Sequence, residues 1–309
     1  MTLTARLWLG SCLDLMASIP DGSVDLVACD LPYGVTACDW DKLVPMNALW
    51  AEYRRILKPT GNIILTAAGM FSAKLMMAAP DLYKYTNIWE KTRATNFFHK
   101  DYRTLTKHED VLVFCKGGLG NNAKVNPTYN PQGLVDLEKP LVSRNGNKKG
   151  LWHARGLNAN PQRRQTQTNW PTSVVRFASA TKVKGAAPET QKPVALMDWI
   201  VRTYSNPGDV VLDNCLGSGT TGVAALAAGR SFIGIEKMPD FYQAAVERIQ
   251  SAAPEGVVFD TDIPLPKRDL VDEIIERKRA AYWASQRDHD TYVIDLANDV
   301  EEISYRLAA

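Results

Sequence analysis

Val210-Val211-Leu212-Asp213 is an apolar run ending in a carboxylate, and it leads through Asn214-Cys215-Leu216 into Gly217-Ser218-Gly219-Thr220-Thr221-Gly222. The residues that follow, as far as Ala228, read as a helix. Strand, glycine turn and helix in that order form a nucleotide-binding unit. Gly217 and Gly219 let the backbone pass close to a ligand, and Thr220 or Thr221 can cap the helix while its first amides remain available as donors. Such a unit belongs to a parallel sheet whose connections cross over through helices.

The rest of the chain keeps that alternation. Ala5–Leu9 reads as a strand, Leu13–Ile19 as a helix, and Val24–Cys29 as a compact buried strand interrupted by Asp25. Met46–Leu57 is helical, Gly61–Thr66 a strand and Ser72–Ala79 a helix, and Tyr85–Trp89 and Asp110–Phe114 are strands. Beyond Pro193, helix Val194–Tyr204, strand Asp209–Leu212, helix Thr220–Ala228, strand Ser231–Ile235 and helix Pro239–Ile249 complete the series. The fold expected is a doubly wound, mostly parallel α/β sheet, residues 1–118 and 186–258.

Residues 119–185 break the pattern. The cluster Gly117-Gly118-Leu119-Gly120-Asn121-Asn122 opens a stretch of little periodicity. From Asn121 to Lys184 it carries Lys124, Lys139, Arg144, Lys148, Lys149, Arg155, Arg163, Arg164, Arg176, Lys182 and Lys184 against Asp136 and Glu138. The net charge of +2 for the whole chain conceals this concentration, which suits a polyanion. A disordered insertion is the alternative, but Tyr129, Leu134, Trp152, Trp170, Val174, Val175 and Phe177 supply apolar bulk for a small module. Residues 259–309, after Pro254, Pro264 and Pro266, read as a charged helical extension. There Val293, Leu296, Val300, Ile303 and Leu307 have the spacing of a helical seam, either docked on the parent domain or joining a homodimer.

Composition removes several function classes. No apolar stretch reaches the roughly 18 residues of a spanning helix, so no membrane partner and a cytoplasmic location are expected. Cys12, Cys29, Cys38, Cys115 and Cys215 are an odd, scattered set without a Cys-x-x-Cys pair, and the histidines are scattered too, which argues against a disulfide framework and against a metal.

A second strand end completes the picture. Val24–Cys29 delivers Asp30-Leu31-Pro32-Tyr33-Gly34, which offers a carboxylate, an aromatic face and a carbonyl at Leu31 whose direction Pro32 restricts. These are the means to hold an amine on a flat base. Together with the glycine turn they resemble the DNA amino-methyltransferases that use S-adenosylmethionine, of the group in which the catalytic tetrapeptide precedes the cofactor loop. Leu31 stands where that family usually has a first proline, and Asn214-Cys215 replaces its usual Pro-Phe. The resemblance spans roughly residues 7 to 250 and implies a Rossmann-like methyltransferase sheet with the basic insert as target-recognition region.

The glycine run also satisfies the dinucleotide fingerprint, with Glu236 about 20 residues on, so a hydride-transfer domain is the competing reading. Against it, the Gly-Ser-Gly-Thr-Thr-Gly form after Asp213 is the family's, and Gln191-Lys192-Pro193 matches its Lys-Pro element near the cofactor's methionine part. The resemblance implies cofactor contacts from Ser11, Cys12, Asp30, Lys192, Asp213, Gly217, Ser218, Gly219, Thr220, Thr221 and Glu236, the last toward the ribose. It implies that Asp30 and the Leu31 carbonyl accept the hydrogens of the target amine, with Pro32 positioning and Tyr33 stacking on a base flipped out of DNA. Phe97 or Phe98 would cover its other face, unless they are core aromatics. Lys148, Lys149, Arg163 and Arg164 are candidates for phosphate contact. A leading aspartate favours adenine N6 over cytosine N4, and no Pro-Cys dipeptide exists for cytosine C5 chemistry. His108-Glu109-Asp110 is expected to be structural.

Overall fold

The computed structural model of the chain describes residues 2–34, 38, 41–144, 162–180 and 191–262. The chain runs β1 (Thr4–Leu9), α1 (Cys12–Met16), β2 (Val24–Cys29), α2 (Met46–Ile56), β3 (Leu57–Ala67), α3 (Met70–Ala78) and β4 (Tyr83–Thr95). A 3-10 turn at Phe97–His99 leads to β5 (Thr106–Cys115), β6 (Val135–Arg144), β7 (Gln162–Thr168) and β8 (Val174–Phe177). Then follow α4 (Val194–Tyr204), β9 (Val210–Asp213), α5 (Thr220–Ala227), β10 (Ser231–Glu236), α6 (Pro239–Ala252) and β11 (Val258–Asp260).

Nine strands form one sheet in the order β11-β1-β10-β9-β2-β3-β5-β4-β8. Neighbours from β11 to β3 are parallel, and β5 runs antiparallel between β3 and β4. The alternation of side chains along each strand feeds two apolar layers. Val27, Cys29, Ile63, Leu65, Leu212 and Ile233 pack toward α1, α2 and α3, while Leu26, Ala28, Ile64, Val211 and Phe232 pack toward α4, α5 and α6. Each fully buried aliphatic or aromatic side chain contributes about 1.5–3 kcal/mol. The expected doubly wound, mostly parallel α/β sheet is what the chain forms, and among the described residues no helix is long and apolar enough to cross a membrane.

Asp25, the charge inside β2, has a structural purpose. Its carboxylate accepts Lys58 Nζ at 2.7 and 2.8 Å and the backbone N–H of Val210 at 2.9 Å.

The segment expected to form a separate insert is partly woven into this body. β8 pairs in parallel with β4, from Ile88 opposite Val174 to Lys91 opposite Phe177. The Thr128 N–H donates to the Thr60 carbonyl at 2.9 Å, and the Asn130 N–H to the Thr203 carbonyl at 2.7 Å. β6 and β7 form a separate antiparallel ribbon. Lys148, Lys149 and the seam at Val293–Leu307 lie outside the described residues.

Candidate active site

β2 and β9 lie side by side with Val27 opposite Leu212, so their carboxyl ends open at the same edge of the sheet. There the two distant motifs meet in one cavity of about 570 Å3, whose walls include Asp30, Leu31, Pro32, Tyr33, Asp213, Gly217, Ser218, Thr220, Thr221 and Glu236. Ser11, Cys12 and Lys192 also line it. The edge is where ligands bind in open parallel sheets, and the volume is in the range of small-molecule sites.

The glycine turn is built as its residues require. Gly217 and Gly219 have φ of +51° and +76°, conformations that other residues adopt only at a cost. Gly219 itself packs below the cavity wall, where an added Cβ would stand 3.1 Å from Ile249. Glu236 anchors the loop: Oε2 accepts the Gly217 N–H at 2.8 Å and Oε1 the Met238 N–H at 2.9 Å. Arg248, on α6, braces it from outside by donating to the Ser218 carbonyl at 2.9 Å. Sequence reasoning passed over Arg248, which carries no motif signal. Asp213 accepts the Cys215 N–H at 3.1 Å. Burial pushes its carboxyl up to about 6, against the lowering effect of hydrogen bonds from Thr221, Cys29 and the Cys215 amide.

The thiols beside it are packing groups. Burial pushes Cys29 up to about 12, and Cys12, hydrogen-bonded to Cys215, is pushed far above the ordinary thiol range. Neither is a thiolate nucleophile at neutral pH.

Around Asp30 the side chains form a closed network. Oδ1 accepts Thr66 Oγ1 at 2.5 Å and Tyr33 Oη at 3.1 Å, and Oδ2 accepts Lys192 Nζ at 2.6 Å. Lys192 Nζ also lies 3.3 Å from Glu109 Oε2, and Lys91 Nζ lies 2.5 Å from Glu109 Oε1. Burial pushes the Lys192 ammonium down, but Asp30 and Glu109 outweigh it and hold it above the ordinary lysine range. Burial likewise pushes the Glu109 carboxyl up, and Lys192 and Lys91 more than reverse that. Tyr33 stacks on Phe71 with ring centroids 4.8 Å apart, and Leu31 is buried.

Glu109, expected to be structural, and Lys91 therefore line the cavity. The available signal was charge placed at the ends of two apolar strands. Phe97 and Phe98 are not brought to the cavity walls; they are 65% and 95% exposed on the turn between β4 and β5. Arg164 is exposed on β7, beside Arg163.

Fold and site define a nucleotide-cofactor enzyme of the doubly wound class, and comparison with known proteins narrows it. The sequence profile of the N6/N4 DNA methylase family matches residues 24–247, and the chain belongs to that family of S-adenosylmethionine-dependent DNA amino-methyltransferases. The type II methyltransferase M2.MboI of Moraxella bovis is 26% identical over 277 residues, covering 81% of this chain and 89% of that protein. Among solved structures, PvuII DNA methyltransferase, which is cytosine-N4-specific, superposes with a TM-score of 0.54 at 15% identity, over 81% of this chain and 92% of its own. The M1.HpyAVI–SAM complex gives 0.51 at 21% identity, over 79% of this chain and 98% of its own. Family membership decides between the two nucleotide readings of the glycine turn against hydride transfer.

The residues present fit the family's cofactor. A glycine turn at φ +51° and +76°, the first amides of α5 and a carboxylate at the end of the next strand make the cradle that a nucleoside with a charged amino-acid tail needs.

Proposed function

We propose that the protein is a site-specific DNA methyltransferase acting on adenine N6. One observation carries the reading: the Asp30 carboxylate and the glycine turn at Gly217-Ser218, far apart in sequence, open on the same cavity. S-adenosylmethionine, when bound, supplies an electrophilic methyl group. Gly217, Ser218, Thr220 and Thr221 hold it, Glu236 takes the ribose hydroxyls, and Ser11 and Cys12 border the adenine end.

The amine of a nucleobase is a poor nucleophile because its lone pair is delocalised into the ring. Asp30 accepts one amine hydrogen and the Leu31 carbonyl the other, which draws the nitrogen toward tetrahedral geometry and directs its lone pair out of the ring plane. Asp30 is then the acceptor for the proton the nitrogen gives up. Pro32 holds the Leu31 carbonyl in extended geometry. Tyr33, with Phe71 supporting one face of its ring, offers the other to the flipped base.

DNA binding falls to the basic segment and the exposed aromatic turn. Arg163 and Arg164 on the β6–β7 ribbon, and Lys148 and Lys149 beyond the described residues, contact phosphates. Phe97, Phe98 and Tyr102, the last 87% exposed, stand among Arg93, Lys100, Arg103 and Lys107. That mixture of rings and cations suits unstacked bases and backbone. The leading aspartate supports adenine over cytosine.

Incubation of DNA with methyl-labelled S-adenosylmethionine, digestion to nucleosides and mass analysis test the reading. The expected product is N6-methyladenine. N4-methylcytosine would overturn the choice of base, and absence of label would overturn methyl transfer. Asp30→Ala is expected to abolish transfer while cofactor binding survives.

A further inference from the structure

We propose that Lys192 is a two-position latch on Asp30, and that Glu109 is the positioning residue that receives it when Asp30 engages the target amine. The proposal rests on the reading that Asp30 is the amine's acceptor.

The geometry shows one ammonium between two carboxylates. Lys192 Nζ sits 2.6 Å from Asp30 Oδ2 and 3.3 Å from Glu109 Oε2. Glu109 Oε2 is buried and receives no aligned hydrogen bond, only the ion pair with Lys192 at 3.3 Å, while Oε1 of the same carboxylate is held by Lys91 Nζ at 2.5 Å. A buried carboxylate oxygen without an aligned hydrogen bond is costly, and here it already pairs at 3.3 Å with a three-donor ammonium whose shorter bond goes to Asp30.

Asp30 explains why the second position is needed. Its Oδ1 already accepts two hydroxyls, from Thr66 and Tyr33, which fills the lone pairs of that oxygen. The amine must therefore use the second lone pair of Oδ2, whose first is taken by Lys192. An ammonium there withdraws charge from the very oxygen that has to attract an amine hydrogen. Lys192 has a side-chain exposure of only 10%, so it cannot move into water without losing its partner, and a buried unpaired charge is not tolerated. Glu109 Oε2 removes that obstacle. A shift toward it tightens the ion pair already present at 3.3 Å, gives Oε2 the aligned hydrogen bond it lacks and returns charge to Oδ2.

Lys91 makes the arrangement directional. It holds Glu109 through Oε1, so the receiving carboxylate stays anchored while Lys192, which lies over the Tyr33 ring and is paired unequally with two carboxylates, shifts between them. The four charges, Asp30 and Glu109 against Lys91 and Lys192, sum to zero in either position. Changing position therefore leaves the net charge beside a cationic cofactor the same.

The test is single-turnover methyl transfer by the full-length protein on DNA, with S-adenosylmethionine affinity by calorimetry and thermal melting alongside. Glu109→Gln keeps the shape and removes the receiving charge. Transfer should slow by about tenfold or more, the scale of one charged hydrogen bond, while cofactor Kd stays within about threefold. Adding Lys192→Met to Glu109→Gln removes the cation that Glu109→Gln strands on Asp30, so the double variant should transfer faster than Glu109→Gln alone. A merely structural role predicts the reverse order. Wild-type transfer by Glu109→Gln, or a double variant no faster than the single, overturns the latch. If Glu109→Gln does not fold, Glu109→Asp serves in its place: it keeps the charge but draws it back by one methylene, and a wild-type rate there also overturns the proposal. Asp30→Asn separates the two levels. Full transfer in that variant sinks the assignment of Asp30 itself, whereas an inactive Asp30→Asn beside a fully active Glu109→Gln sinks only the latch.

Discussion

Glu236→Gln isolates the part of the site that shapes the cofactor loop. In the wild-type chain both carboxylate oxygens accept backbone N–H groups, Gly217 at 2.8 Å and Met238 at 2.9 Å, and the residue is 8% exposed. Glutamine keeps the length but can accept at only one of those positions, because its other terminal atom is a donor. One N–H then faces an NH2 group, and the turn at Gly217, which depends on a φ of +51°, loses the bond that holds it. A hydrogen bond to a charged group is worth about 1.5–3 kcal/mol, which translates into roughly a ten- to 150-fold weaker Kd for S-adenosylmethionine. Titration calorimetry at fixed temperature measures it, with a melting curve to show that the sheet is intact. A folded variant whose Kd changes less than twofold would refute the argument, because neither loop anchoring nor ribose contact could then be assigned to this carboxylate.

Three further outcomes are expected. Asp213 binds its proton more tightly when folded, since burial lifts its carboxyl to about 6 from the ordinary 3.8; its contribution to stability is full below about pH 3.8 and lost as pH rises through 6. Asp213→Asn should flatten the difference in urea-melt stability between pH 4 and 7 by up to about 3 kcal/mol, and parallel profiles for the two proteins would count against it. Gly222→Ala would put a Cβ 2.6 Å from Ile249 Cδ1 and 2.7 Å from Phe232 Cε1, so chemical denaturation should show a loss of about 1–3 kcal/mol, and a neutral result would mean that these side chains yield freely. Phe98→Ala should weaken single-stranded DNA binding by about 1–3 kcal/mol in fluorescence anisotropy with cofactor Kd unchanged; unaltered DNA affinity removes the aromatic turn from the interface.

What was legible in the sequence follows the distribution of apolar residues. β2, β9 and β10 are buried on both faces and read as compact apolar runs, and α4 shows its helical stripe, so the centre of the sheet could be placed within a residue or two. β7, Gln-Arg-Arg-Gln-Thr-Gln-Thr, has no apolar residue to alternate, because it pairs only with β6 in a ribbon away from the core. β8 is four residues at the sheet edge, and β11 three, too short for any period to register. The ends of β4 and β5 extend well past the core into polar sequence, which is where Lys91 and Glu109 stand. Their meeting with Lys192 depends on three separate elements arriving at one edge, and no local pattern records that. Phe71, stacked on Tyr33, was hidden for the same reason.

The same logic gives Asp25 a larger part than its sequence context suggests. In the apolar run Val24–Cys29 it looks like an interruption, yet it joins the starts of the two strands whose far ends carry the chemistry. Its carboxylate accepts the N–H of Val210 at the entry to β9 and is neutralised by Lys58 from β3. A one-residue slip between β2 and β9 would exchange the faces on which their side chains lie, and would carry Asp30 about 3.3 Å along the sheet relative to Asp213 and the glycine turn. Apolar packing alone discriminates weakly against such a slip in strands that are buried on both faces and rich in valine, leucine and alanine. The Val210 N–H, by contrast, reaches the Asp25 carboxylate in only one register, and a buried carboxylate that loses such a hydrogen bond is destabilised. The separation between Asp30, the proposed acceptor of the amine, and the glycine turn is therefore favoured, five residues upstream of Asp30, by a residue that touches neither.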